Sequence, residues 1–592
     1  MFEKNIDALQ LKNPTLAEKI KNIPLSVAKE KIDVYKAESQ DLIISYNKIP
    51  LNSIYDPIRE AKTTWNKSIQ KELSSKDIII VFGLGLGYLF KRVYISTEAR
   101  IVIYEPLIDV LRFVLEYIDL SEEIKNNRVF VTDNIEECTQ FVGQKYLHGD
   151  YLDVLFLKSY AQVAFQELQT LSKAVLDVCQ QRNFDSNTIL TLTKYWVTKA
   201  IINIPYFKEA LPFEFLEDKF LNKTALIVSA GPSLNDNIEL IKKNRSKFVI
   251  LCVNRAFKSL MAANIKPDFL IVADSFGIIP TIEGYEDELK NINLITTPRC
   301  SPEFFKLSLK SKFLYFIENE IIYELIKKYG KNDLKSYKSA GSVSIICYYI
   351  AKALGFSNII FSGLDLAFKD DKQYSDDTKM KTDEIIQVKG AYCDLVNTKH
   401  DYALYIRQLE DIFENEKGDE KIFNAATGAF INGMEYKKLE NIIENFEDTN
   451  ISVDEIVQKA IEENNEQWLE IYNVLKETFL NEKTRIFNAN NQIKEFIDDY
   501  KEVLDYIEKN KTVIGIEHNL KQNTIKMSDI ISKLLNSVVL SSYFQVELLN
   551  YTKYNRQSDF INLNDIKSLI KNDIDILEKF DKAYNDLTLH LG

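Results

Sequence analysis

Two hydrophobic periods divide the chain. Over its first two thirds, short apolar runs recur between stretches of helical spacing, the pattern of buried strands separated by helices. The first clear run, "DIIIVFGLGLGYLF" from Asp77 to Phe90, predicts a strand, a glycine turn and a helix start. "ARIVIYEP", "RVFVTD" and "LDVLFLKS" follow as three further strands. Together they predict a Rossmann-like domain over residues 1–160, preceded up to about residue 70 by helical segments with polar breaks. Residues 161–222 turn helical, with Leu168, Leu171, Val175 and Leu176 on one side, and read as a connector. A second α/β unit spans 223–440, with strands predicted at Ala225–Ser229, Phe248–Val253, Phe269–Val272, Leu294–Thr296, Phe313–Phe316 and Asn358–Ser362. Short apolar strands alternating with helices make a parallel, doubly wound sheet. In the last part, 441–592, glycine nearly vanishes and apolar residues recur at three- and four-residue spacing, predicting a C-terminal helical bundle.

A chain of 592 residues exceeds one core, so several domains are expected. The net charge of −13 disfavours nonspecific binding to nucleic acid or an anionic membrane, since both reward a basic surface. A local basic pocket for a small anion stays compatible with it. The six cysteines are scattered without a CxxC pair, and His148, His400, His518 and His590 are far apart, so no disulfide framework and no metal site are expected. The opening "MFEKNIDALQLKNP" lacks the apolar core of a secretory signal, and the longest apolar run, Ile78 to Phe90, is shorter than a membrane span. The cytoplasm is therefore the expected location.

Candidate chemistry clusters at the ends of predicted strands. Gly83, Gly85 and Gly87 form the first N-terminal turn, and Glu105 ends the next strand, where an acidic residue can hold a ribose diol. This turn and "YEP" resemble the adenosylmethionine site of methyltransferases; a tight first turn for packing alone gives the same residues. In the central unit, "SAGPSL" (Ser229 to Leu234) opens a helix, and its amides with the Ser233 hydroxyl could hold one phosphate without a P-loop lysine. Asn254 ends the second strand, where an amide can read a base or sugar; Asp274 and Ser275 end the third. "SAGSVS" (Ser339 to Ser344) and "FSGLDLAF" (Phe361 to Phe368, with Gly363 and Asp365) complete the set.

The stretches "ALIVSAGPSLNDNIELIKK", "IKPDFLIVADS", "SAGSVSIICYYIAKALGFSNIIFSGLDLAF" and "IFNAATGAFINGM" resemble the motility-associated factor (Maf) family of flagellin glycosyltransferases. More distantly, the central unit resembles small bacterial sialyltransferases, which implies a sialyltransferase-like, GT-A-like variant fold for it. The resemblance implies transfer of a pseudaminic or legionaminic acid from its CMP-activated form to flagellin Ser or Thr, with no cofactor required. On that reading Gly231, Pro232, Ser233 and Asn254 hold the nucleotide; Ser339, Gly341 and Ser342 approach the sugar or phosphate; Asp365 lies near the reacting centre. The sialyltransferase pattern has a late histidine as base, and His400 falls in that region, with Asn397 fitting almost as well and Asp365 and Asp274 as competitors. Where family members often carry a histidine after the GxDLA strand, this chain has Tyr374, a phosphate candidate and a poor base. The helical tail is expected to meet the flagellin acceptor. Three rival readings stay open: a magnesium- and ATP-dependent pterin pyrophosphokinase, a methyltransferase in the N-terminal domain, and a non-catalytic flagellin-binding scaffold.

Overall fold

The computed structural model describes residues 1–592 apart from 147–149, 274–278, 331–333, 370–372, 376–384, 445, 449–450, 513–514, 516, 545–547, 549–562 and 591–592. It falls into two compact units, Met1–Thr191 and Leu192–Gly592.

In the first unit, β1 (Ile32–Lys36), β2 (Leu42–Tyr46) and β3 (Ile49–Pro50) form a small antiparallel sheet. The helical segments expected up to about residue 70 are present at Phe2–Lys12, Pro14–Lys21, Leu25–Glu30 and Pro57–Ser68, but residues 32–50 between them depart from that expectation. These strands are at most five residues long and joined by a tight turn at Gln40, whose φ of 70° interrupts any helix, so their alternation is too short to read in the sequence. Then β4 (Ile78–Phe82), β5 (Arg100–Tyr104), β6 (Val129–Thr132) and β7 (Leu152–Phe156) form a parallel sheet in the order β6-β5-β4-β7. β4 is buried throughout, which explains its unbroken Ile-Ile-Ile-Val-Phe run. The chain leaves β4 on one side for β5 and β6, then returns to its other side for β7, so β4 and β7 flank the topological switch point.

A 39-residue helix, Phe165–Asn203, leads from the first unit into the second. There, β8 (Leu211–Pro212), β9 (Thr224–Val228), β10 (Val249–Val253), β11 (Phe269–Val272), β12 (Asn293–Thr296), β13 (Ser311–Leu314) and β14 (Asn358–Ser362) are joined by β17 (Lys421–Asn424) and β18 (Glu435–Tyr436). They make one nine-stranded parallel sheet in the order β18-β17-β14-β9-β10-β11-β12-β13-β8. The six predicted strands are β9 to β14; β13 lies two residues earlier than predicted because Tyr315 and Phe316 have already left the ladder. β8, β17 and β18 were not foreseen; two of them are only two residues long, below the length at which a period can be read. A hairpin of β15 (Ile386–Lys389) and β16 (Leu395–Thr398) stands apart from this sheet. The switch point lies between β9 and β14.

The tail is led by a 58-residue helix, Val453–Asn510, capped where the Ser452 hydroxyl accepts a bond from the Glu455 amide at 3.2 Å. It packs along Leu563–His590 and Glu517–Asn536, and also against the helix Ile321–Tyr329 and β8 beside the sheet. Trp468 is fully buried on it, and its indole N–H donates to the Phe207 carbonyl at 2.8 Å. Among the described residues, no helix is long and apolar enough to cross a membrane.

Candidate functional site

Open parallel sheets bind ligands where the carboxyl ends of strands diverge at the switch point. In the second unit two turns meet there: Ser229 to Leu234 after β9, and Gly363 to Asp365 after β14. The Gly231 amide donates to the Gly363 carbonyl at 2.8 Å, and the amide and hydroxyl of Ser233 both donate to Asp365 Oδ2, at 2.9 and 2.8 Å. A methyl group on Gly231 would lie 2.2 Å from Asp365 Oδ2 and 2.5 Å from the Gly363 carbonyl oxygen, so this position admits only glycine. Asp365 is buried; burial pushes its carboxyl up in pKa, opposed by the two Ser233 donors. Its backbone is held as well, since the Ala429 amide of "NAATGAF" donates to its carbonyl at 2.7 Å. Gly231, Pro232, Ser233 and Asp365 therefore form a closed, internally bonded floor. The Ser233 amide and hydroxyl are both spent on Asp365, whose carboxylate also accepts from the Thr427 amide.

Around this floor the structure gathers most of the remaining candidates. Asn254 is buried at the end of β10. The next residue, Arg255, is exposed, with its guanidinium carbon 4.4 Å from the centroid of the Tyr374 ring. Ser375 ties this segment to the first turn, its amide donating to the Ala230 carbonyl at 2.8 Å. Ser342 caps the helix Val343–Ala353 by accepting from the Ser344 amide at 3.2 Å, and Ser344 Oγ lies 2.8 Å from Ser229 Oγ. Ser339 is exposed.

The helix His400–Asn415 connects these pieces. Its first residue is the exposed His400. Further along, Gln408 Oε1 accepts from the Gly341 amide at 3.1 Å, and a methyl group on Gly341 would come within 2.7 Å of the Tyr405 ring. Gln373 Nε2 donates to the hydroxyls of Tyr374 and Tyr402, at 3.1 and 3.0 Å. Gly341, Tyr374 and His400, far apart in sequence, are thus joined through one helix. Asp274 lies outside the described residues. Sequence reading missed Arg255, Gln373, Tyr402, Tyr405 and Gln408; only Arg255, directly after Asn254 at a strand end, carried a local signal.

The N-terminal turn is filled. Tyr160, which follows β7 across that sheet's switch point, accepts from the Gly85 amide at 2.7 Å and donates to Glu105 Oε2 at 2.7 Å. The Leu84 and Leu107 amides also donate to Glu105, at 2.7 and 2.8 Å. A methyl group on Gly83 would meet the Tyr160 ring at 2.4 Å. Glu105 is fully buried, and burial pushes its carboxyl up to about 7. Glycines and acid here receive a tyrosine of the protein itself, the packing alternative rather than an open ribose cradle.

A cleft of about 690 Å³ lies at the opposite edge of the second sheet, lined by Lys242, Lys243, Arg245, Lys266, Asp268 and Asp454 among others. Much of its charge is internally paired, Arg245 with Asp268 at 2.7 Å and Lys266 with Asp454 at 3.9 Å. It sits at the amino ends of the strands, away from the switch point.

Comparison with known proteins bears on this arrangement. Residues 198–371 match the family model of 6-hydroxymethylpterin diphosphokinase MptE-like proteins. An uncharacterized protein of Treponema pallidum (strain Nichols) is 26% identical over 207 residues, which cover 33% of this chain and 92% of that protein. Among solved structures, a Maf glycosyltransferase from Magnetospirillum magneticum AMB-1 superposes with a TM-score of 0.61 at 15% identity, covering 100% of this chain and 96% of the other. The resemblance read from the motifs of the central sheet therefore extends, as a likeness of fold, along the whole chain: its architecture is similar to that of a Maf glycosyltransferase.

Proposed function

We propose that the protein is a glycosyltransferase that moves a nonulosonic acid of the pseudaminic or legionaminic type from its CMP-activated donor to Ser or Thr hydroxyls of flagellin. It would work in the cytoplasm and serve flagellum assembly and motility. The observation that carries this reading is the full-length likeness in fold to a Maf glycosyltransferase, combined with a polar rim at the switch point of the second sheet. The closed floor of Gly231, Pro232, Ser233 and Asp365 gives the donor a rigid base. Asn254 at the end of β10 offers an amide to the nucleoside. Tyr374 and the Gly341 loop face the phosphate and sugar. His400, exposed at the start of its helix, is the candidate base that takes the acceptor hydroxyl's proton. As the bond from sugar to phosphate lengthens, positive charge grows on the sugar and negative charge on CMP, so donors around the phosphate lower the barrier. The helical tail is the proposed meeting place for flagellin.

The match of residues 198–371 to MptE-like proteins favours a second reading, transfer of pyrophosphate from ATP to a hydroxymethylpterin. Calorimetric titration of the full-length protein separates the two. CMP binding in the absence of metal, with mass added to flagellin upon incubation with the CMP-sugar, supports the first. ATP binding that needs magnesium, with no response to CMP, supports the second.

A further inference from the structure

A departing nucleoside monophosphate needs positive charge or strong donors, and the turn after β9 has few to spare. The amides of Ser229, Gly231, Ser233 and Leu234 donate to Ser362, Gly363, Asp365 and Gly231 within the protein. The Ser233 hydroxyl is likewise spent on Asp365. Lys369, whose charge reaches Asp365, is paired with Asp236 at 2.9 Å, and Arg255 stands at the same rim. Arg255 lies on the short 3-10 turn Asn254–Ala256 at the end of β10, the strand beside β9. Among the described residues no carboxylate lies within ion-pairing distance of it, whereas Arg245 on the other edge of the sheet is matched by Asp268.

Its place is fixed by the ring beneath it. Tyr374 is held by Gln373, and the next residue is bonded on three sides. The Ser375 amide donates to Ala230, its carbonyl accepts from Asn235 Nδ2 at 3.0 Å, and its hydroxyl lies 3.1 Å from Ser259 Oγ. This segment straps the Tyr374 ring to both the first turn and the helix after β10. An arginine stacked on a tyrosine face keeps its N–H edge open, and that edge matches two oxygens of a phosphate.

Resting on the glycosyltransferase reading, we propose that Arg255, stacked on Tyr374, binds the phosphate of the CMP leaving group through its guanidinium edge. In the transfer, the bond between the sugar's anomeric carbon and the phosphate oxygen breaks, and its electron pair leaves with CMP. The acceptor oxygen bonds to the same carbon and gives its proton to the base. Arg255 stays protonated and balances the charge gained by CMP.

The test is calorimetric titration of CMP and of cytidine into the full-length protein and its Arg255→Gln, Arg255→Lys and Tyr374→Ala variants. Arg255 is exposed, so the fold should tolerate its replacement, and cytidine serves as the internal control. CMP affinity is expected to fall about ten- to a hundred-fold in Arg255→Gln with cytidine affinity unchanged. Arg255→Lys should recover only part of it, and Tyr374→Ala should weaken CMP to a smaller degree. Unchanged CMP affinity in Arg255→Gln, or equal losses of CMP and cytidine, would overturn the proposal while leaving the donor reading intact. If the unmodified protein binds no CMP, the donor reading falls instead. The same variants titrated with ATP and magnesium then decide: a loss in Arg255→Gln keeps Arg255 as a phosphate ligand under the second reading, and no loss removes it.

Discussion

Asp365 and Glu105 do similar work from different places in their sheets: Asp365 follows β14, across the switch point from β9, whereas Glu105 follows β5, on the side of β4 away from its switch point. Each is a buried carboxylate that accepts hydrogen bonds from a glycine turn after an interior strand, Asp365 from Ser233 after β9 and Glu105 from Leu84 after β4. Both turns were legible in the sequence, because glycine and small residues after an apolar run have few other uses. What fills them was not. The Gly85 partner, Tyr160, lies 75 residues away, and no local pattern announces a side chain that crosses a sheet. Two predictions belong to this scale. Gly231→Ala should cost about 1–3 kcal/mol, because its methyl would sit 2.2 Å from Asp365 Oδ2 and the surrounding turn is fully bonded; a lowered melting temperature checks it. Glu105 has a carboxyl raised to about 7 by burial, above its unfolded value of about 4.5. The associated stability is fully present below about pH 4.5 and lost as pH rises through 7, by up to about 3 kcal/mol. Thermal melts from pH 4 to 8 should show that loss, and Glu105→Gln should flatten it.

Elements with a long, clean period were readable, and those shorter than a period were not. β9 to β14 were anticipated because each is a buried apolar run bounded by polar turns, whereas β8 and β18 contribute two residues each. The helix His400–Asn415 shows a different limit. His400 was noticed for its chemistry, but the residues that place its helix, Tyr402, Tyr405 and Gln408, look like any amphipathic face until Gly341 and Gln373 are beside them. In the tail, Trp468→Ala should destabilise the second unit by about 3–5 kcal/mol, since it removes a fully buried ring and the bond to Phe207; chemical denaturation measures it. Asp573 makes the opposite case. It is buried on Leu563–His590, accepts from the Tyr500 hydroxyl at 3.1 Å, and burial raises its carboxyl to about 6. Its contribution is fully present below about pH 3.8 and lost as pH rises through 6. Asp573→Asn keeps an oxygen to accept from Tyr500 and removes the buried charge, so it should raise the melting temperature at pH 7.5 and give no gain near pH 3.5.

At the scale of the molecule, the compact unit Leu192–Gly592 includes both the nine-stranded sheet and the helical tail. A chain ending at residue 440 would leave Phe207 and β8 without the helix Val453–Asn510 that packs on them. It should be recovered largely insoluble when expressed beside the full-length protein; a soluble, cooperatively melting product would show that the sheet is self-sufficient. The strand order has a further consequence, for the time during which the chain is made. β9 lies in the interior of the finished sheet, yet its partner on one side, β14, begins only at Asn358. At ordinary synthesis rates roughly ten to thirty seconds separate the two strands at the ribosome. Throughout that interval Thr224–Val228, apolar on both faces, is an open edge that any other unpaired strand in the cell could join. The nascent polypeptide therefore passes through a stage at which a strand destined for the interior of the sheet stands open along one side until Asn358–Ser362 arrives.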